Sequence, residues 1–388
     1  MSIDVIKALR HLGYQVYEDD YRKKLSLWKQ IYRGKIENFH SYREYNGLDQ
    51  VERKRKSLGL GKKSSEDWAD ALFNDNVEIN VDEGSFEIID KALKRNKFRK
   101  QFNDLIEKSF ALGTGAMVEF RNNMFKAEID YLPVDHIYPI KFNNGEVVDC
   151  AFVSEINPDT LLINAHIQQY DGTYIIFNHV VSSDIYGALK EQELNDIEPM
   201  FRSRVKLFQI IKPAIANNIN NATPLGLSIY ANAIDELKSV DTAYDALHNE
   251  IDRGKLRVYV RAGAMSFNVL ENGTKVPIFD NDQTEFYILP EDDDSVKSNN
   301  YVKVESPQLR TEDIIKALQT NLNLFGRKVG LGDDYYSFED GGIYTNTTQV
   351  ISSNSKFYKT RQKHANGIEE AVIDLRSEEH TSELQSLS

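Results

Sequence analysis

The strongest constraint in this sequence is a long apolar repeat between residues 227 and 253. Its apolar residues alternate spacings of three and four: Tyr230, Ala233, Leu237, Val240, Tyr244, Leu247 and Ile251. A 3.5-residue period predicts a long helix that packs nearly parallel to a neighbouring helix. The other positions hold six carboxylates against only Lys238 and Arg253. We therefore expect acidic, solvated faces around the packing seam.

A compact β-rich insertion separates this helix from a second one. The runs LRVYV, VPIF, EFYIL and YVKVE within residues 255–307 predict short strands, and Asn272-Gly273 predicts a hairpin turn. A helix with one apolar stripe follows up to residue 329, and a third long helix is expected over 348–375. The insertion therefore sits between two helices that we expect to be neighbours.

The first part of the chain changes character near residue 113. Residues 1–112 read as mostly helical, and residues 113–182 as an antiparallel β meander with turns at Asn143-Asn144-Gly145 and Asp171-Gly172. We expect residues 183–226 to form a lightly structured connection. Together with the later helices, this pattern predicts an α+β fold.

Composition limits the function classes. The 388 residues are 41% hydrophobic with a formal net charge of −13, which indicates a globular chain without the basic footprint of nonspecific nucleic-acid binding. The single cysteine, Cys150, excludes an intrachain disulfide and a cysteine-based zinc site. We see no signal peptide and no membrane-spanning apolar run, so synthesis in the cytoplasm is expected.

Residues 330–348 form an acidic and aromatic segment flanked by glycines. Its side chains include Asp333, Asp334, Tyr335, Tyr336, Phe338, Glu339, Asp340 and Tyr344. Such carboxylates could hold the metals of a nuclease, but adjacent acidic pairs on a glycine-flanked loop lack the rigid support that catalytic ligands need. An ordinary helix-to-helix loop with a solvated acidic tip is the plainer alternative.

The other motifs that could indicate a binding site each lack a residue that the motif requires. Residues 59–65 lack both the first glycine and the final Ser or Thr of a phosphate loop. Gly113-Thr114-Gly115 lacks the third glycine of a dinucleotide site, and Glu285 stands where a calcium loop needs glycine. We therefore expect no catalytic residue, no metal site and no cofactor.

The order helix, β insertion, helix, acidic loop and polar helix resembles the portal proteins of tailed bacteriophages, of the siphophage type. Four segments carry the resemblance in order: KKSSEDWADALFNDNVEI (62–79), PLGLSIYANAIDELKSVDTAYDALHNEID (224–252), VGLGDDYYSFEDGG (329–342) and TQVISSNSKFYKTRQKH (348–364). Gln349 and Ser353 replace acidic residues common in the family, which leaves the charge pattern of that last helix open.

The resemblance implies a division of the chain. It assigns a mixed α/β wing to 1–226, a first stem helix to 227–254 and a small β-rich clip to 255–307. It assigns a second stem helix to 308–329 and a tunnel loop to 330–347. Residues 348–375 would be a long wing helix leading to a crown that is missing. The stretch 376–388 resembles translated sequencing-adapter sequence, and we expect a non-native tail on a truncated chain.

The resemblance also implies a function. It is that of a homo-oligomeric ring, a dodecamer, at one capsid vertex of the virion, assembled in the host cytoplasm. The ring passes double-stranded viral DNA during packaging and ejection. The implied partners are the terminase large subunit, scaffold and major capsid proteins, and a head-completion adaptor, with no membrane. A carboxylate-dependent phage nuclease and another structural head protein or adaptor are the alternatives.

Three groups of residues follow as candidates. The loop residues Asp333, Asp334, Tyr335, Tyr336, Phe338, Glu339 and Asp340 would face DNA, with Gly330, Gly332, Gly341 and Gly342 giving backbone freedom. The stem would present Lys238, Asp241, Asp245 and Arg253 to the channel. The clip would contact partners through Asn272, Asp292, Asp293 and Asp294.

The clip assignment makes the first prediction. Replacing Asp292, Asp293 and Asp294 by Ser should weaken a pull-down of the terminase large subunit, because the acidic loop is expected to be exposed and free of the core. Ring formation, followed by electron microscopy, should not change. Unchanged docking would place the interface elsewhere in the clip.

Overall fold

The computed structural model has the expected α+β class. It describes residues 3–16, 21–45, 49–74, 77, 86–121, 127–184, 186–192, 198–219, 223–261, 267–269, 273, 275–277, 286–289, 302–337 and 347–386. None of the helices in these ranges has the length and apolarity needed to cross a bilayer.

The N-terminal part is mostly helical, as predicted, but it also contains a β hairpin that the sequence did not predict. Its elements are α1 Val5–His11, α2 Tyr21–Tyr32, β1 Ser41–Tyr45, β2 Gln50–Lys54, α3 Leu60–Leu72, α4 Phe86–Arg95 and α5 Phe98–Leu112. The hairpin was missed because β1 and β2 are short and rich in charged residues, so their alternation carries little apolar signal.

The β meander is divided between two sheets. Its strands are β3 Gly115–Arg121, β4 Ala127–Pro133, β5 Ile137–Asn143, β6 Glu146–Asn157, β7 Thr160–Gln168, β8 Tyr174–Ser183, β9 Leu189–Gln192, β10 Met200–Ser203 and β11 Phe208–Ile211. One sheet has the order β10-β8-β7-β6-β5, with β9 also paired to β8, and the other has the order β11-β3-β4. The expected turn at Asn144-Gly145 is confirmed, with φ of 50° and 80°.

The expectation of a lightly structured connection over residues 183–226 is wrong. This segment supplies β9, β10 and β11, which are antiparallel partners of β8 and β3. Each is only four residues long. Strands this short are stabilised by pairing with distant segments, so local sequence indicates them weakly.

Two apolar cores hold these elements together. The larger one joins α2, α3, α5 and the β11-β3-β4 sheet to the first part of α6, the second half of α7 and the middle of α8. The smaller one packs α1 against one face of the larger sheet, through residues such as Leu9, Tyr138 and Ile163. The large core therefore joins the N-terminal body to the long helices.

The C-terminal half contains two helices around the insertion, as predicted. Its elements are α6 Ile234–Arg253, β12 Arg257–Arg261, β13 Phe267–Val269, β14 Lys275–Pro277, β15 Phe286–Leu289, β16 Val302–Glu305, α7 Thr311–Val329 and α8 Thr347–Ser386. In the insertion β12 lies between β15 and β16, and β13 pairs with β14. The four predicted strands correspond to β12, β14, β15 and β16.

The ends of the helices differ from the expectations. Helix α6 begins at Ile234 rather than 227, and Tyr230 and Ala233 are buried in the turn before it. Ile251, at the far end of the predicted seam, is 50% exposed. Helix α8 continues past Leu375, where the helical pattern was expected to stop. Residues 376–386 contain no glycine or proline, so nothing in the chain ends the helix there.

A buried histidine lies where α8 meets the N-terminal body. His364 is 3% exposed, and its Nδ1 accepts a hydrogen bond of 2.9 Å from the Ala214 N–H. Its ring packs edge-on against Trp68 and Phe110, at centroid distances of 4.8 and 5.1 Å. Burial, together with the nearby Lys363 charge, lowers the pKa of His364 to about 4.

This environment predicts a loss of stability in mild acid. The unfolded chain binds the proton near the ordinary histidine pKa of about 6.5, whereas folded His364 binds it only near pH 4. Stability should therefore be full above about pH 6.5 and should fall as the pH drops toward 4. His364→Gln should reduce the difference between denaturant midpoints measured at pH 7 and pH 5.

Exposed His11→Gln provides the matched control for this measurement. Burial also lowers the pKa of His166, to about 3, so part of the pH dependence should remain in the His364 variant. An unchanged pH dependence in His364→Gln would contradict the assignment.

Candidate nucleic-acid interface

The β insertion leaves α6 and rejoins α7 at a neck, the junction of residues 250–254 with residues 309–310, where side-chain contacts hold the two segments together. The Glu250 carboxylate accepts three hydrogen bonds from Arg310, from Nε at 3.2 Å, Nη2 at 3.0 Å and the backbone N–H at 3.1 Å. Gly254 lies so close to Leu309 that a Cβ atom would come within 1.9 Å of its side chain. These contacts fix the position at which the insertion emerges.

The other end of the helix pair is also clamped. Lys328 Nζ lies 2.9 Å from a Glu236 carboxylate oxygen and 3.3 Å from the Asn232 carbonyl oxygen. Between the two ends, the Asn321 side-chain amide donates to the Ser239 carbonyl at 3.3 Å. Helices α6 and α7 therefore form one antiparallel unit.

The acidic loop begins with a helix cap. Gly330 has φ of 84° and ends α7, while the Leu331 N–H donates to the Gly326 carbonyl at 3.0 Å. This is the bonding pattern of a Schellman cap. A Cβ atom on Gly330 would lie 2.9 Å from the Thr360 methyl group. Gly330 thus fixes the start of the loop, and the expectation that it gives backbone freedom is wrong.

The next loop residues are held against helix α3. The Tyr336 hydroxyl donates to Asp67 Oδ2 at 2.9 Å, and Lys63 Nζ lies 2.7 Å from the other oxygen of Asp67. Burial raises the pKa of Tyr336, and the Asp67 carboxylate raises it further. Tyr335 remains 45% exposed beside it. The described part of the loop is therefore attached to the N-terminal body.

The loop carboxylates are not equivalent. Arg327 Nε and NH2 donate to the two oxygens of Asp333 at 2.8 and 2.6 Å. This pairing lowers the pKa of Asp333 and compensates its charge within the subunit. Asp334 is exposed. Phe338, Glu339 and Asp340 lie outside the described residues.

The stem residues Asp241, Asp245 and Lys238 do not lie on an open face of α6. Asp241 is 1% exposed and accepts hydrogen bonds from His40 Nε2 at 2.9 Å, Ser57 Oγ at 2.9 Å and the Leu58 N–H at 2.8 Å. The expectation that Asp241 faces a channel is therefore wrong. Its charge is satisfied because residues 36–58 cover this face of the helix.

Asp245 and Lys238 lie on the same covered side. Asp245 Oδ1 accepts from the Lys56 N–H at 3.0 Å, and Lys238 Nζ lies 5.7 Å from the centre of the Phe39 ring. Arg253 is the last residue of α6, and its side chain is not described. The exposed stripe of α6 consists instead of Asp235, Ser239, Thr242 and Ala246. Its 4–3–4 spacing marks one helix face.

The His40, Asp241 and Ser57 cluster does not have the geometry of a nucleophilic triad. His40 Nδ1 accepts from the Ile36 N–H at 2.8 Å, so its Nε2–H is directed to Asp241. The Ser57 hydroxyl also donates to Asp241, so no histidine nitrogen takes its proton. Across the described ranges, no group of three His, Cys, Asp or Glu could hold a metal ion.

The predicted clip contacts cannot be placed in detail. Asn272, Asp292, Asp293 and Asp294 lie outside the described residues. Gly273 has φ of 79° between the paired strands β13 and β14. That conformation agrees with the predicted Asn-Gly hairpin turn.

Sequence reasoning missed the residues that hold the loop and the stem in place. Asp67, Arg327 and His40 each bind a predicted site residue, through Tyr336, Asp333 and Asp241 respectively. Their partners are between 6 and 269 residues away in the chain. A local signal existed only for Arg327, as a cation six residues before Asp333.

The fold is a clamped helix pair that carries a small β module on an α+β body. The chain belongs to the phage portal protein family of the SPP1 Gp6-like type, whose family model matches residues 16–375. No curated protein sequence matches the chain. The family is structural, its subunits associate in an oligomeric ring, and it is located in the virion capsid.

The buried Asp241 gives a stability prediction for the stem. Asp241→Asn should lower the free energy of unfolding by about 2 kcal/mol, because the N–H₂ that replaces one carboxylate oxygen cannot accept from the donors facing it, either His40 and Ser57 or Leu58. Asp252 is a carboxylate of the same helix that is 67% exposed. Asp252→Asn should change the unfolding free energy by less than about 0.5 kcal/mol in the same denaturant titration. Equal effects would show that residues 36–58 do not cover α6.

Proposed function

We propose that this portal protein forms a dodecameric ring whose axial channel passes double-stranded viral DNA during packaging and ejection. The observation that carries the proposal is the α6–α7 pair, clamped at both ends, with an exposed polar stripe and an insertion projecting from a fixed neck. Such a unit repeated around an axis would give a rigid tube. Its assembly would take place in the host cytoplasm.

We assign the parts of the chain to the same regions that the resemblance implies. Residues 1–226 would be the wing, 227–254 and 308–329 the stem, 255–307 the clip and 330–347 the tunnel loop. Residues 348–375 would lead to a crown. The clip would dock the terminase large subunit, and later the head-completion adaptor. The wing would contact scaffold and major capsid proteins.

The channel surface is assigned to the exposed stripe of α6 and to the loop. Asp235, Ser239, Thr242 and Ala246 offer few hydrogen-bond donors to phosphate, and the loop adds Asp334, Glu339 and Asp340. A duplex that moves over thousands of base pairs must meet no deep energy minimum. Negative charge near its phosphates prevents tight contact, whereas rows of lysine or arginine would hold it.

No catalytic step belongs to this function. The subunit would act by shape, charge and rigidity, and the motor protein would supply the chemistry. Purified protein viewed by negative-stain microscopy should show rings with an axial hole. Monomers or irregular aggregates would contradict the ring, and metal-dependent DNA cleavage by the purified chain would contradict the structural role.

The loop assignment has a sharper test. Asp334, Glu339 and Asp340 would be replaced together by Lys, with Asp333 left in its pair with Arg327. Rings should form normally, but DNA packaging should slow or stall and should become sensitive to salt, because new cations bind phosphate. Packaging would be measured as nuclease-protected DNA.

The matched control replaces three exposed carboxylates outside the loop by Lys: Glu155, Glu198 and Glu369. This variant has the same net charge change and should package normally. Normal packaging by the loop variant would contradict the tunnel-loop assignment. Equal stalling by both variants would show that net charge is responsible rather than the position.

A further inference from the structure

The β1–β2 hairpin is a separate two-stranded sheet in the N-terminal body. Its strands pair only with each other among the residues that the structure describes. One face carries the cross-strand pairs Tyr45–Gln50 and Arg43–Glu52, and Tyr45 is 62% exposed. A two-stranded hairpin is marginally stable alone, and its open strand edges invite further contacts.

The base of the hairpin is firmly fixed. The Arg55 N–H donates to the His40 carbonyl, and Arg55 NH1 donates to the Phe39 carbonyl, each at 2.8 Å. The Arg55 guanidinium lies 4.2 Å from the Phe39 ring centre and 4.8 Å from that of Tyr42. Directly after it, Lys56, Ser57 and Leu58 bind the carboxylates of α6 described above. The hairpin thus projects in a direction that is set by the stem.

The chain does not fill the space between the hairpin and the stem. An open cleft of about 430 Å³ lies between β1–β2 and α6, lined by Tyr42, Glu52, Arg53, Lys54, Asp245 and Asn249. Its lining mixes an aromatic ring, an amide and charges of both signs. That composition is typical of the rim of a protein–protein interface.

Charge is divided unevenly along the chain. Residues 21–63 contain 13 Lys and Arg against 4 Asp and Glu, a net charge of +9 within a chain whose total is −13. All other residues together therefore carry −22. The hairpin itself, residues 41–54, holds three Lys and Arg and three Asp and Glu, so the excess positive charge lies in the segments on either side of it. A second copy, which is net negative outside these segments, can complement their charge.

We propose that the β1–β2 hairpin is an arm that packs against the neighbouring copy of this chain, an inference that rests on the proposed ring. A cyclic ring needs different surfaces on the two flanks of each subunit. The arm lies on the side of α6 that carries Asp241 and Asp245, and α7 covers another side. The arm of one copy would meet the outer face of α7 in the next.

The outer face of α7 suits such an arm. Glu312 and Asp313 are exposed there, and Leu324 on the same side of the helix is 44% exposed. The acidic side chains can pair with Arg43 and Lys54, and the leucine side chain can cover Tyr45. A phosphate backbone fits less well, because the hairpin interleaves its cations with Glu44, Asp49 and Glu52.

The test is photo-crosslinking in assembled rings. Tyr45 is replaced by the near-isosteric p-benzoylphenylalanine, and rings are assembled from equal parts of light and ¹⁵N-labelled chain, with and without DNA. The matched control carries the same residue at Tyr170, a fully exposed tyrosine beyond β7. Electron microscopy first confirms that each variant forms rings.

We expect covalent dimers between light and heavy chains from Tyr45 but not from Tyr170, with the linked peptide in 311–329. Links confined to one chain, links to DNA alone, or no links in intact rings would overturn the proposal. A linked peptide elsewhere in the neighbouring copy would overturn α7 as the acceptor. Failure of the unmodified chain to form rings would instead contradict the proposed function.

A charge reversal gives an independent readout. Arg43→Glu with Lys54→Glu should shift the protein from rings to smaller species in native mass spectrometry, most strongly at low salt. Lys141→Glu with Lys190→Glu changes two exposed cations of the larger sheet by the same amount and should leave rings intact. Intact rings in both variants would overturn the contribution of charge.

Discussion

The arrangement of this subunit depends on one buried indole. Trp68 is fully buried in α3, and its Nε1–H donates to the Val329 carbonyl at the end of α7, at 3.0 Å. The same ring stacks on Phe357 of α8, at a centroid distance of 5.7 Å, and lies 3.4 Å from the position of a Cβ on Gly330. The N-terminal body, the stem, the loop and the last helix therefore meet at a single side chain. Aromatic packing of this extent leaves little room for independent movement of any one of them.

Carboxylates near this junction act mainly as structural acceptors. Asp67 binds Tyr336 and Lys63, Asp241 binds three donors from residues 40–58, and Asp333 binds Arg327. Each is a negative charge that the sequence offers for a DNA-facing surface, but each is committed within the subunit. The count of 60 Asp and Glu residues consequently overstates the carboxylates available to a channel. Exposed carboxylates such as Asp235 and Asp334 are the ones that remain available at the surface.

Local patterns predicted the elements whose determinants are local. The 3.5-residue repeat located α6, alternation located four strands of the insertion, and Asn144-Gly145 located a hairpin turn through its left-handed backbone. The predictions that failed concerned residues whose structural partners lie far away in the chain. Strand β11 exists because β3 pairs with it, and Asp241 is buried because a segment two hundred residues earlier covers it. Nothing near these residues carries that information.

The same long-range contacts restrict movement of the described part of the loop. Residues 330–337 are tied at three points, by the cap at Gly330, by Arg327 on Asp333 and by Asp67 on Tyr336. Moving this part would require breaking a bidentate ion pair and a hydrogen bond from a half-buried tyrosine. Because those groups would have to separate together, this part should move with α3 and α7 as one body rather than as a free loop. A movement of α3 would thus be transmitted to residues 330–337 through the contact between Asp67 and Tyr336.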